Sequence, residues 1–160
     1  MAKLKRSAHL LYIDGSFGGT TAWYLIGKDI EELEVDLGAD VETVKNILDE
    51  TSLKLNGYEP NIEASPYICD PSDAIYEKLA AAAMERVMDD AHCKTKMLEV
   101  VVEDTTASSH SAWQQDCYCV PQSVGGDTTG MQIPFNIYPI GTRTAGTATL
   151  TSARVPTFTA

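Results

Sequence analysis

Hydrophobic and polar residues alternate along much of the chain, and this alternation predicts β-strands. Leu33, Val35 and Leu37 are separated by acidic residues, and Leu98, Val100 and Val102 repeat the spacing. Because successive side chains of a strand point to opposite faces, each segment is expected to bury one face and wet the other. Compact apolar runs and Thr-rich segments are also typical of strands. Strands are predicted at 9–13, 23–26, 32–37, 60–68, 98–103, 117–120, 131–138 and 142–155.

One segment departs from this period and predicts a helix over about 72–90. Ile75, Leu79, Ala83 and Val87 recur every fourth residue around a run of four alanines, which are strong helix formers. Ser72 precedes them and is the expected N-cap. The helix should pack one face against an apolar surface.

One helix among many short strands predicts a mainly β (α+β) fold, an antiparallel β-sandwich or barrel with one docked helix. No linker divides the chain, so 1–160 is expected to form a single domain. Within it, 1–20 is predicted to be an arm and flexible loop, and 21–155 the β body with its helix. A long loop is predicted at 39–60, where Asp40 could cap a short helix.

The charge balance restricts the partners of the protein. The chain carries 23 acidic and 12 basic residues, a formal net charge of −11 and a sequence pI near 4.5. Direct nucleic-acid binding is therefore disfavoured, although an acidic wall could let DNA slide past without sticking. With no leader or long apolar run, the chain is expected to be soluble, made in the cytoplasm and not bound to membranes.

The residues that could do chemistry form weak patterns. Cys117 and Cys119 lie two apart in a strand, too far to pair comfortably, and their spacing matches no zinc knuckle. All four cysteines, Cys69 and Cys93 included, are expected to be free thiols. No metal, cofactor or phosphate-binding pattern is found, and we predict that the protein is not an enzyme.

Histidines and aromatic residues leave two rival hypotheses. His110 could form a triad with Asp104 and either Ser109 or Ser111, which would make the protein a hydrolase, but the segment is typical of a hairpin loop. His9 has apolar neighbours and is expected to be a packed histidine. A β-sandwich carbohydrate-binding or adhesin module would instead use aromatic residues in an exposed cleft. The candidates for such a cleft are Trp23, Trp113 and Tyr138.

Taken in order, several phrases resemble one protein family. They are "LIGKDIEEL", "NGYEP", "PQS-GGDT-G-QIPF" and "G-R--GT-T", spread between about Trp23 and Leu150. The chain resembles the major tail protein, or tail tube protein, of long-tailed bacteriophages and prophages of Gram-positive bacteria.

This resemblance implies a structural virion protein that forms hexameric rings. The rings would stack into a hollow tail tube for DNA delivery, assembled in the host cytoplasm, with DNA passing through the lumen without specific binding. The implied partners are further copies of the chain, a tape-measure protein, a tail terminator and a distal tail protein. The inner tube of a contractile tail or phage-like particle is a close alternative.

Two polar segments are the candidates for contacts between subunits. The N-terminal arm carries the basic residues Lys3, Lys5 and Arg6, which could pair with acidic groups of the next ring, although a solvated arm is equally compatible. The 39–60 segment is too long and polar for a simple turn and carries Asp49, Glu50 and Tyr58. Its role rests on the resemblance.

Overall fold

The computed structural model describes residues 2–160 and shows a mainly β protein built on one large antiparallel sheet. Two short helices and a 3₁₀ turn at Arg6–Ala8 accompany the strands. The helices are α1, Tyr76–Glu85, and α2, Asp90–Cys93. The strands are β1 (His9–Asp14), β2 (Trp23–Leu25), β3 (Val35–Asp36), β4 (Ala39–Lys45), β5 (Thr51–Tyr58), β6 (Asn61–Ala64), β7 (Lys94–Val101), β8 (His110–Pro121), β9 (Gly125–Asp127), β10 (Gly130–Gln132), β11 (Phe135–Leu150) and β12 (Pro156–Thr159).

The large sheet has eight strands in the order β2-β1-β7-β8-β11-β6-β3, with β12 also paired to β11. It curls into a half-barrel, which agrees with the predicted sandwich or barrel. The long strand β11 allows this topology because its start pairs with β6 and its end with β12, while β8 runs along its other edge. The pairing of β11 with β8 shifts register between Ile140 and Thr144.

Each face of the sheet buries its own apolar cluster. On one face, Leu11, Ile13 and Met97 pack with Ile75 and Leu79 of the helical segment. On the other face, Leu10, Tyr12, Leu98 and Val100 pack together with partly buried residues of β2 and β12. Alternate side chains of β1 and β7 therefore enter different clusters, one on each face of the sheet. Neither face of these strands is left exposed to solvent, because the curled sheet is covered on both sides.

The β body includes residues on both sides of the predicted range 21–155. β1 lies inside the sheet between β2 and β7, so only the residues before His9 form an arm. The loop that follows β1 is closed by Asp14, whose carboxylate accepts hydrogen bonds from the backbone N–H of Ser16 and Ala22. β12 adds a strand beyond residue 155.

The helix is shorter than predicted, and Ser72 does not cap it. The Ser72 backbone N–H and hydroxyl both donate to Asp70 Oδ1, at 3.0 and 2.7 Å, so this segment forms a turn instead. Helix α1 begins at Tyr76 with no side-chain cap at Ile75. Its last residue is Glu85, and the next residue, Arg86, ends the helix by adopting the left-handed conformation with φ 58°.

The predicted strand at 32–37 is reduced to β3, which pairs with β6 at Val35 and Asp36. The predicted loop at 39–60 and the short helix capped by Asp40 are wrong: this segment is the β4-β5 hairpin, which stands apart from the large sheet. Val41 and Thr43 on one strand face Leu55 and Leu53 on the other. Cross-strand apolar pairing therefore prevails over the helical spacing of Val44, Ile47 and Leu48.

Candidate assembly surface

The β4-β5 hairpin extends the edge of the sheet into solvent. β3 and β6 pair at the base of a two-stranded ribbon, and β4 and β5 continue it. Gly38 and Glu59 join the two parts, and the backbone N–H of Glu59 donates to Gly38 O at 3.3 Å. Gly38 has φ 55°, and a Cβ there would lie 2.3 Å from Glu59 O, so the junction requires glycine. With seven residues in β4, the hairpin strands are about 23 Å long.

Every residue of β4 and β5 is exposed, although the hairpin has an apolar face. The register places Val41 opposite Leu55 and Thr43 opposite Leu53 on that face, while Glu42 and Lys54 oppose each other on the other face. The register shifts between Asp40 and Val41, where β5 contains the extra residue Asn56, and Ala39 therefore lies opposite Tyr58. Large exposed apolar surfaces usually mark contacts with another molecule. The exposed fractions are 53% for Val41, 68% for Leu53, 77% for Leu55 and 68% for Tyr58.

The turn at the hairpin tip is held by its own polar groups. Asn46 Oδ1 accepts hydrogen bonds from the backbone N–H of Leu48 and Glu50, at 2.9 and 3.0 Å. Lys45 Nζ lies 3.3 Å from Asp49 Oδ1. This arrangement leaves Ile47 99% exposed and Leu48 71% exposed at the end of an ordered turn.

The six residues predicted to make subunit contacts divide between two places. Asp49, Glu50 and Tyr58 lie on the exposed hairpin, in agreement with a role at an interface that stays a prediction. Lys3 and Lys5 are exposed in the arm. Arg6, in contrast, is bound to its own chain, since its guanidinium donates to the carbonyl oxygens of His9 at 2.8 Å and Leu33 at 2.7 Å. Those two bonds fix the arm beside the edge of the body.

An acidic cleft of about 570 Å³ lies beside the base of the hairpin. Half of its lining residues come from the connection between β2 and β3, where carboxylates follow one another closely. Carboxylates gathered this way give the cleft a strongly negative field, which repels phosphate groups. The acidic residues are Asp29, Glu31, Glu32, Glu34, Asp36 and Glu63.

The two tryptophans proposed for a sugar-binding cleft do not lie together. Trp113 of β8 pairs with Glu99 of β7, and Glu99 pairs with Leu11 of β1, so Trp113 lies on the same face as Leu11. Trp23 of β2 pairs with Asp14 of β1 and lies on the face of Asp14. Since Leu11 and Asp14 point to opposite faces of β1, the two tryptophans lie on opposite faces of the sheet. Trp113 is also covered by Arg143, whose Cζ lies 5.4 Å from the ring centroid.

The acidic residue of the hydrolase hypothesis, Asp104, is held by a neighbouring threonine. Asp104 accepts hydrogen bonds from the Thr106 N–H and hydroxyl, at 2.9 and 2.7 Å, and these bonds lower the pKa of Asp104. His110 is the first residue of β8 and pairs with Ala148 of β11. His9 is not simply packed among apolar side chains: its Nε2 lies 3.1 Å from Glu99 Oε1.

The cysteines are free thiols, as predicted, and three of the four are buried. Burial raises the pKa of Cys117 and Cys119 well above the ordinary range of a thiol. A protonated, buried thiol is a poor nucleophile and a poor metal ligand. Within residues 2–160, no group of three or more His, Cys, Asp or Glu side chains is arranged to hold a metal ion. The same residues include no helix with the length and apolarity needed to cross a membrane.

Comparison by sequence finds no relative: no protein-family model matches the chain, and no curated protein is significantly similar to it. Comparison by structure does find similar folds. The "sheath/tube terminator in extended state" of the extracellular contractile injection system PVC aligns with a TM-score of 0.55 and 8% identity, covering 91% of this chain and 97% of that one. The tube-terminating cap of the anti-feeding prophage, AFP, aligns with a TM-score of 0.55 and 12% identity, covering 92% and 93%.

These matches support the general class of protein expected from the sequence, but not the particular family. Both similar proteins are components of phage-tail-like particles, in agreement with the general class predicted, but both are terminators, whereas the sequence resembles the major tail protein of long-tailed phages. At 8% and 12% identity the likeness establishes a common fold. This chain therefore shares its fold with these two tube-terminating proteins.

Proposed function

We propose that this protein is a structural subunit of a phage-tail-like tube, in which hexameric rings stack around a lumen. The observation that carries the proposal is the β4-β5 hairpin, whose apolar face, with Val41, Leu53 and Leu55, is uncovered in the single chain. An exposed hairpin with two free edges tends to aggregate unless another surface covers it. In a ring or stack, a neighbouring copy would provide that surface.

The fold and charge of the chain support the same function. Two proteins that terminate tubes in contractile injection systems have this fold. The net charge of −11 and the acidic cleft beside the hairpin suit a lumen through which DNA passes without specific binding. The tape-measure, terminator and distal tail proteins expected from the sequence remain the proposed partners, and the virion the proposed location.

The second candidate is a tube terminator, favoured by the two similar structures. A terminator forms one ring that binds the end of an existing tube, whereas a tube subunit stacks on copies of itself. The two functions therefore differ in what the purified protein does alone. Tubes of variable length support the tube subunit, and single rings support the terminator.

Negative-stain electron microscopy together with light scattering on the untagged protein tests the proposal. We expect rings or tubes from the wild type and monomers from the Leu53→Asp, Leu55→Asp double variant, because two carboxylates on the apolar face oppose its burial. Ser52→Asp is the matched control: it adds a carboxylate to the same strand on the opposite face. A wild type that stays monomeric at all salt and protein concentrations, alone and with isolated tail tubes, would contradict both candidates.

A further inference from the structure

A shallow apolar groove, distinct from the hairpin, lies where α1 ends. It consists of two adjoining depressions of about 360 and 340 Å³, which share Met88 and Val120. Val87 and Val124 line the first and Tyr138 the second. We call these five residues and the preceding Arg86 the helix-end groove. Met88 is 75% exposed, so the groove is open and uncovered in the single chain.

The hairpin tip is an exposed apolar projection of the same chain. Its two aliphatic side chains, Ile47 and Leu48, stand out from a turn that Asn46 holds in place. Because Ile47 is 99% exposed, the tip does not occupy the groove of its own chain. An ordered turn loses little conformational entropy when it docks, which favours binding by such a tip.

The charges around the tip and the groove are complementary. Along the tip, Lys45 precedes the apolar pair, and Asp49 and Glu50 follow it. Along the groove, Arg86 precedes Val87 and Met88, and Asp89 and Asp90 follow them. From the N-terminal to the C-terminal end, both segments therefore have a basic residue, an apolar pair and two acidic residues. When two such segments meet in antiparallel directions, each positive end lies beside the negative end of the other.

We propose that the hairpin tip of one copy inserts Ile47 and Leu48 into the helix-end groove of the next copy. Glu50 then pairs with Arg86, whose guanidinium in the single chain donates to Ala83 O of its own helix. Lys45 exchanges its exposed partner Asp49 for Asp89 or Asp90 of the neighbouring copy. Tip and groove are different surfaces of the same chain, so the contact is head-to-tail and can close a ring or continue a stack. This inference rests on the proposed tube assembly and identifies the surface that receives the hairpin.

A charge exchange between two variants tests the contact. Glu50→Lys and Arg86→Glu each place like charges together in every tip-groove contact, so each variant alone should lose at least about tenfold of its sedimentable assemblies. In an equimolar mixture, the tip of the Glu50→Lys variant meets an oppositely charged groove on the Arg86→Glu variant, and the remaining unchanged tips and grooves also match. Assembly of the mixture should therefore recover to near the wild-type level. A mixture that stays unassembled while the wild type assembles would overturn the tip-groove contact.

Photo-crosslinking gives a second readout that does not depend on Arg86. Benzoylphenylalanine replaces Leu48 in unlabelled protein, which is assembled with ¹⁵N-labelled wild type and irradiated. Crosslinked peptides should join residue 48 to labelled peptides around Met88 or Val124. Crosslinks from assembled tubes to any other surface would refute the docking while leaving the tube function intact. Failure of the wild type to assemble would instead overturn the proposed function together with this contact.

Discussion

Arg143 Nη2 donates a 3.1 Å hydrogen bond to Glu99 Oε2 across an intervening strand. Glu99 lies on β7 and Arg143 on β11, with β8 between them, so the guanidinium crosses above Trp113 of β8 to reach the carboxylate. His9 of β1 approaches the other carboxylate oxygen at 3.1 Å. This carboxylate of β7, with only 14% of its side chain exposed, therefore joins groups from β1 and β11, and the contacts span four consecutive strands of the sheet.

Replacing Glu99 by Gln should destabilise the protein in a pH-dependent way. Burial raises the pKa of Glu99, but the bond to His9 and the charge of Arg143 outweigh it and hold the pKa below its usual value of 4.5. A lowered pKa stabilises the folded state above the unfolded-state pKa, and this contribution disappears as pH falls through the folded-state pKa. Chemical denaturation should show Glu99→Gln less stable by about 2 kcal/mol at pH 7. The difference should shrink below about pH 4.5, and a constant difference would contradict the charge-based explanation.

Shortening Leu79 should open a cavity under α1. Leu79 is 1% exposed and packs in the cluster between α1 and the sheet, so Leu79→Ala should lower the free energy of unfolding by about 3 kcal/mol. Met84→Ala is the control, because Met84 is in the same helix but 59% exposed. Urea denaturation of both variants measures the difference. Because alanine is a better helix former than leucine or methionine, helix propensity cannot cause a loss in either variant. Equal losses would therefore contradict the cavity under α1.

Adding a methyl group at Gly15 should disturb the contact between the end of β1 and the segment before α1. A Cβ at Gly15 would lie 2.6 Å from the backbone carbonyl carbon and oxygen of Ala74, which cannot move without shifting the chain. We expect Gly15→Ala to cost about 2 kcal/mol in thermal or urea unfolding. Gly27→Ala should be near neutral, since nothing lies within 4 Å of its Cβ position.

The buried thiols should resist alkylation in the folded protein. Burial raises the pKa of both Cys117 and Cys119, and both side chains are almost inaccessible. Iodoacetamide at pH 8 should modify the partly exposed Cys69 first and reach the other two only after denaturant is added. Peptide mass spectrometry identifies the modified residues. Rapid modification of Cys117 in native protein would show that this face of the sheet opens readily.

The hairpin shows why the candidate surface is only partly predictable. The sequence identifies the 39–60 segment as a candidate contact but predicts a loop with a possible helical turn. The signals of a hairpin are present in Val41-x-Thr43 and Leu53-x-Leu55, on either side of a polar turn beginning at Asn46. Val44, Ile47 and Leu48 also fit a helical period, and a short apolar run cannot decide between the two.

Properties that follow from local pattern and composition were predictable without the structure. Alternation predicted strands, and four-residue spacing predicted the helix. Tertiary structure decided what depends on residues far apart in the chain. It alone placed Glu99 between His9 and Arg143, put Trp23 and Trp113 on opposite faces, and left the apolar face of the hairpin uncovered. Register and sheet order fix such relationships, and a residue's immediate neighbours carry almost no information about either.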